Sequence, residues 1–148
     1  MRIPRFSPDT LRGLYARACR WRGRSDLFVD DLERISGEAA WRQSVEVAAG
    51  LVSRGLAKGD RVAFLCKPSA RHAIAWFGAP LAGAVSCSLH IRETPERLAE
   101  TLLWLGASVL VHDADLEALA DDLLHRAAAS GHQALAVSLG DAAGKPRE

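Results

Sequence analysis

Lysine is nearly missing from this chain: it occurs only at Lys58, Lys67 and Lys145, so arginine supplies 16 of the 19 basic residues. Cysteine is equally sparse. Cys19, Cys66 and Cys87 lie too far apart for a disulfide framework and match no zinc-ligand spacing. The setting this implies is reduced and cytoplasmic. No apolar run approaches the roughly 20 residues that a membrane span needs. Net charge is almost absent too, at +1 over 148 residues, which leaves no global field favouring nucleic acid or an anionic membrane. There is no dinucleotide G-x-G-x-x-G, no Ser–His–Asp arrangement and no paired-carboxylate site. What is present is ordinary for one soluble globular domain, with 49% hydrophobic and 25% charged residues. A domain of this size buries about two-thirds of its unfolded surface.

The charges are unevenly laid out. Seven arginines fall in the first 24 residues against one acid, Asp9. That composition also suits a mitochondrial presequence. The expectation is instead an ordinary first helix within residues 1–24, capped by Ser7 with Pro8 at its first position and Leu11, Leu14, Tyr15 and Ala18 on its inner face. Asp113, Asp115, Glu117, Asp121 and Asp122 form an acidic stretch. It reads as a solvated helix start, where carboxylates favour the N-terminal dipole.

From residue 25 to 139 the pattern is that of one α/β domain, with a polar tail over 140–148. Leu27–Val29 and Leu32–Ile35 read as two short strands. Ser36 caps a helix that runs to Arg54 and stops at Gly55. Val62 to Cys66 is a continuous apolar run, as in a strand covered on both faces. Ser69–Ala82 reads as a helix ended by Gly83, with Ala84–Leu89 the strand after it. Thr94 and Pro95 open a helix that Gly106 ends before a strand over Ser108–Val111. Asp115–Ser130 and Gly131 then precede a last strand, Ala134–Leu139. Helix, glycine and strand alternate four times, so the fold class is α/β with a largely parallel sheet flanked by helices. One local conflict is Pro80, two residues after Gly78. Proline inside a helix removes a backbone bond at about 3 kcal/mol, so this helix is expected to kink or end near Gly78.

Several polar groups invite a chemical reading, and each has a plainer one. His112-Asp113 suits a metal pair, but no further ligands stand at matched positions. Cys66 and Cys87 fall near the ends of neighbouring strands, where a thiol pair is conceivable, although free cysteine usually packs as a small apolar group. His72 reads as a half-buried helical histidine. Trp41, Trp76 and Trp104 read as core or partner-facing residues rather than a base-stacking platform. No catalytic, cofactor-binding or metal residue is assigned.

Ser36 through Asp60 runs S-G-E-A-A-W-R-Q-S-V-E-V-A-A-G-L-V-S-R-G-L-A-K-G-D, followed by Arg61-Val62-Ala63-Phe64-Leu65, by Gly83-Ala84-Val85 and by Leu105-Gly106-Ala107-Ser108-Val109-Leu110-Val111. In this order and spacing the segments resemble the N-terminal part of the adenylate-forming ligases, the acyl-CoA synthetase group. There the pattern is close to T-Y-x-E-L-x-x-x-V-x-x-x-A-x-x-L-x-x-x-G-V-x-K-G-D, then R-V-A-x-x-L, G-A-V and S-G-A-x-x-L-V. Departures are Gly37 and Ala39 for the pattern's Tyr and Glu, Ser88-Leu89-His90 for P-L-N, and Pro80 for an ordinary helical residue.

The resemblance implies ATP-dependent adenylation of a carboxylic acid and transfer of the acyl group to coenzyme A, with ATP, Mg2+ and coenzyme A as the intact family's cofactors. It also implies a Ser/Thr/Gly-rich phosphate loop ending in lysine, whose backbone N–H groups close around phosphate oxygens. Gly144-Lys145-Pro146-Arg147 looks like the end of such a loop but lacks the Ser/Thr run, and Asp141 before it would repel phosphate. The chain is therefore expected to be a truncated or split member, inactive alone, and to bind no cofactor by itself. Either a gene remnant or half of a split enzyme fits, its partner being a separately encoded remainder or a second copy of itself. The alternative is a stand-alone α/β binding or interaction module without ligase activity. Leu81, Val85, Leu89, Trp76 and Trp104 are expected to be exposed where the remainder of such a domain would pack.

Overall fold

The computed structural model describes residues 3–7 and 9–140. They divide into two compact units, one drawn from within residues 1–58 and 68–84 and the other from within 59–67 and 85–148.

The first unit opens with α1, Leu11–Arg22. Its cap is Thr10, whose side chain accepts from the Gly13 N–H at 3.0 Å. Ser7, the expected cap, instead lends its carbonyl to the Thr10 hydroxyl at 2.9 Å; Pro8 lies outside the described residues. The inner face also differs from expectation. Gly13, Tyr15, Ala16 and Cys19 are buried, while Leu11 and Leu14 are exposed. The reason is close backbone approach. A Cβ at Gly13 would sit 1.8 Å from the Ser7 carbonyl oxygen, so the point of closest approach takes glycine and Tyr15 is the large residue that turns inward beside it.

A short antiparallel pair follows, β1 (Asp26–Val29) and β2 (Arg34–Ser36). The Asp30 carboxylate organises its turn. One oxygen accepts from the Leu32 and Glu33 N–H groups at 2.8 and 2.9 Å; the other accepts from Ala70 N–H at 2.8 Å. Helix α2, Gly37–Ser53, is capped by Ser36, which accepts from Ala39 N–H at 3.3 Å. Ala39 cannot complete a capping box, but the Gly37 and Glu38 N–H groups bond the Ser25 and Gly23 carbonyls at 3.1 and 2.8 Å. Gly37 has its own steric reason, since a Cβ there would meet the Cys19 carbonyl oxygen at 2.4 Å. Helix α3, Ala70–Leu81, runs through Gly78 and takes Pro80 in its last turn. It does not end at Gly78, because proline at the penultimate position removes a bond only where the helix is already finishing. Tyr15, Ile35, Ala40, Trp41, Ala70 and Ile74 form the core of this unit. Tyr15 stacks on Phe77 with ring centroids 4.1 Å apart.

The second unit holds β3 (Arg61–Leu65), β4 (Val85–Ser88), α4 (Pro95–Leu105), β5 (Val109–His112), α5 (Glu117–Ala129) and β6 (Leu135–Ser138). The four strands form one parallel sheet in the order β4-β3-β5-β6. Helix α4 starts as expected, with Thr94 accepting from Arg97 N–H at 3.3 Å and Pro95 at the first position. It ends at Gly106, whose φ of 57° is a left-handed conformation that glycine adopts without cost. A 3-10 turn, Ala114–Leu116, precedes α5. Leu98 and Leu102 of α4 and Ala120, Leu123 and Ala127 of α5 pack on Ala63, Leu65 and Leu110 of the sheet. At roughly 25 cal/mol per Å² of apolar surface, each fully buried leucine contributes about 1.5–3 kcal/mol.

Candidate functional site

In open parallel sheets a ligand crevice forms at the carboxyl ends of the strands where the chain changes direction across the sheet. Here β3 lies between β4 and β5, so that point falls between the ends of β3 and β5. Cys66 and Lys67 follow β3; His112, Asp113 and Asp115 end or follow β5.

The groups gathered there satisfy one another. Asp113 accepts the Lys67 backbone N–H at 2.7 Å. The Lys67 ammonium pairs with Asp115, which holds the lysine above its ordinary pKa and the aspartate below its own. His112 is buried, with Nδ1 2.9 Å from the Asp113 carbonyl oxygen. The Cys66 thiol lies 3.7 Å from the Val111 carbonyl. Burial, reinforced by the Asp113 charge, pushes that thiol well above its ordinary pKa, so it stays protonated and unreactive. This arrangement ties the β3 and β5 ends together and presents no activated nucleophile.

The other sequence candidates stay apart. Ala63 pairs with Cys87 across β3 and β4. Cys66 is therefore three residues beyond Cys87 along the strands, about 10 Å, outside disulfide reach. Both are free. His112 and Asp113 gather no further ligands; no group of three or more His, Cys, Asp or Glu side chains suited to a metal occurs among the described residues. His72 sits in the first turn of α3, its N–H bonded to Ser69 Oγ at 3.0 Å. Trp41 is core and Trp76 is half-buried, edge-on to Phe77. Trp104 is 83% exposed on α4, and Val85 is exposed on an edge strand. Leu89, expected at the surface, is buried against the α4 and α5 core instead; its N–H bonds the Phe64 carbonyl at 2.9 Å and draws the residue in past the end of β4. Gly144-Lys145-Pro146-Arg147 lies outside the described residues.

Sequence reasoning passed over one cleft. It encloses about 630 Å³ in the first unit, between Ile3, Pro4 and Arg5 on one side and Cys19, Arg20, Gly23 and Glu38 on the other. Arg20 donates to the Pro4 carbonyl at 2.6 Å. Burial pushes the Cys19 thiol up to about 11, so it is no nucleophile at neutral pH. No sequence spacing marks this cleft, because its walls come from residues 3–5, the end of α1 and the start of α2.

Among the described residues no helix is long and apolar enough to cross a membrane. A family model described as AMP-binding enzyme matches residues 15–146. Among solved structures, a protein assigned as a long-chain-fatty-acid CoA ligase from Rhodopseudomonas palustris is 25% identical with a TM-score of 0.76, over 91% of this chain and 34% of that one. The N-terminal domain of FACL13 from Mycobacterium tuberculosis is 22% identical with a TM-score of 0.76, over 91% of this chain and 36% of that one. The O-succinylbenzoate coenzyme A synthetase MenE from Bacillus subtilis, in complex with AMP, is 15% identical with a TM-score of 0.74, over 90% of this chain and 33% of that one. This chain thus spans about a third of the length of each. No curated protein matches it.

Proposed function

Because the chain belongs to the AMP-binding enzyme family, we propose that it supplies the first α/β part of an adenylating acid–CoA ligase and that these 148 residues carry out neither half of the reaction by themselves. The observation that carries this reading is the end of the parallel sheet. Where such a fold would hold a ligand, Lys67, Asp113 and Asp115 bond one another. Lys67 is already paired with Asp115, and the Asp113 and Asp115 carboxylates set negative charge beside it, which disfavours a phosphate. The reaction needs ATP with Mg2+, a carboxylic acid and coenzyme A. The groups that hold them belong to the remainder of the ligase, whether further residues or a separate chain. The names of similar structures, covering fatty acid, anthranilate and O-succinylbenzoate ligases, leave the acid open.

A binding titration with Mg·ATP tests the reading. No saturable binding is expected, and Lys145→Ala changes nothing. Saturable binding weakened tenfold by that substitution, about 1.4 kcal/mol, would mean that the polar tail is a working phosphate loop.

A second reading, a stand-alone binding or interaction module, is favoured by one feature. Each unit buries an apolar core of its own, around Tyr15 and Trp41 in one and Leu102 and Leu110 in the other.

A further inference from the structure

The outer face of α1 is apolar where solvent should favour polar residues. Leu11, Leu14, Ala18 and Trp21 recur three, four and three residues apart, which places them in one stripe along a helix of 3.6 residues per turn. Leu11 is 40% exposed, Leu14 50% and Trp21 85%. This stripe contributes nothing to the core, which α1 meets through Tyr15, Ala16 and Cys19. At about 100° per residue Arg17 and Arg22 fall on either side of it and Arg24 follows the helix, all three exposed, whereas Arg12 lies over the Phe6 ring and Arg20 holds the Pro4 carbonyl. Asp9 is the one acid among the first 24 residues, and Asp26, the next along the chain, is paired with Arg34 at 2.9 Å. The net charge of +1 conceals this local excess because acids accumulate elsewhere.

We propose that the Leu11–Leu14–Trp21 face of α1, with its flanking arginines, docks in the plane of an anionic phospholipid bilayer surface. Charge complementarity selects this occupant. Leucine and tryptophan enter the headgroup boundary while guanidinium groups meet lipid phosphates, the pattern of interfacial helices. A second copy is a poor occupant, since two such faces would bring arginine against arginine. Helix α1, with 12 residues and a length of about 18 Å, lies on the membrane and does not span it. This goes beyond the ligase reading and does not depend on it.

The test is co-flotation of the 148-residue chain with two kinds of vesicle, pure phosphatidylcholine and phosphatidylcholine with about a third phosphatidylserine. At least roughly tenfold tighter binding to the anionic vesicles is expected, with release at high salt and a blue shift of tryptophan emission that Trp21→Phe removes. Leu14→Glu should abolish binding. Arg17→Glu with Arg24→Glu should weaken it roughly tenfold or more; both side chains are exposed, so this variant keeps its fold even if Leu14→Glu does not. Trp104→Ser, in the other unit, should bind as the parent does. Equal affinity for both vesicles, no binding to either, or indifference to the arginine reversals would overturn the proposal. So would a dimer in solution that Leu14→Glu dissolves without any vesicle binding, because the face would then serve a second copy.

Discussion

Replacing Gly78 with alanine sets two opposing effects against each other. In an exposed helix interior, alanine is better than glycine by about 0.8–1 kcal/mol. Gly78, however, is buried where α3 crosses α2. A Cβ built there would lie 2.7 Å from Val47 Cγ1, 2.9 Å from Val47 Cβ and 3.1 Å from the Ser44 carbonyl oxygen. Val47 is β-branched and held on a helix, so it cannot swing aside. Relief must come from separating the two helices. Overpacking of this kind costs about 1–3 kcal/mol; two contacts under 3.0 Å and a third on backbone put it in the upper part, about 2–3 kcal/mol, so after the propensity gain Gly78→Ala should be destabilising by about 1–2 kcal/mol net. Gly50→Ala is the internal control. It lies in α2, and its Cβ would meet only the Arg54 guanidinium end at 3.4 Å. That variant should gain about 0.5–1 kcal/mol from propensity alone. Urea unfolding followed by circular dichroism reads both. A Gly78→Ala variant as stable as the parent would refute the close-contact reading of α2 and α3.

Two substitutions on α4 should part sharply: Leu102→Ala, at a fully buried site, costs about 2–5 kcal/mol, whereas Trp104→Ser, at an exposed one, stays within about 0.5 kcal/mol; thermal melts of the two variants check this. Backbone N–H groups of Ala70, Leu32 and Glu33, in that order of effect, hold the Asp30 carboxyl below its ordinary pKa. Its contribution is therefore complete above the unfolded aspartate value of about 3.9 and is lost as pH falls through the lower folded value. Asp30→Asn should accordingly flatten the acid limb of a stability–pH curve, and an unchanged limb would contradict the assignment. The open edges of the sheet at β4 and β6 carry exposed Val85 and Leu135, so the chain alone should self-associate or bind a hydrophobic dye. A monodisperse monomer without dye binding, seen by light scattering, would instead favour the stand-alone module.

The alternation of helix, glycine and strand was legible in the residues because each boundary carries local chemistry. Thr94-Pro95 starts α4 and Gly106 ends it through interactions within a few residues, and the apolar run at Val62–Leu65 marks a buried strand whatever surrounds it. What was not legible depended on distant backbone. Of the residues expected on the inner face of α1, Tyr15 is buried there, but Leu11 and Leu14 are exposed and the rest of that face is Gly13, Ala16 and Cys19. A carbonyl from Ser7 and the start of α2 at Gly37 press on that side, and nothing in the spacing of leucines reports it. Leu89 was misplaced for a related reason, since its burial follows from a backbone bond to Phe64 across the sheet. At the sheet ends the residue types Cys66, His112 and Asp113 suggested chemistry. Only the structure shows that Asp113 ties the β5 end to the Lys67 backbone after β3 and that Cys66 and His112 are bonded to backbone carbonyls there.

The central claim is that this chain is scaffold and not catalyst. Acid-dependent ATP–pyrophosphate exchange reads the adenylation step alone, before any coenzyme A is needed, so it addresses that claim directly. Purified chain incubated with Mg·ATP, labelled pyrophosphate and a panel of fatty and aryl acids should give only the background seen without acid. Exchange above that background, dependent on a particular acid and lost on unfolding the chain, would show that these residues adenylate by themselves and would contradict the account.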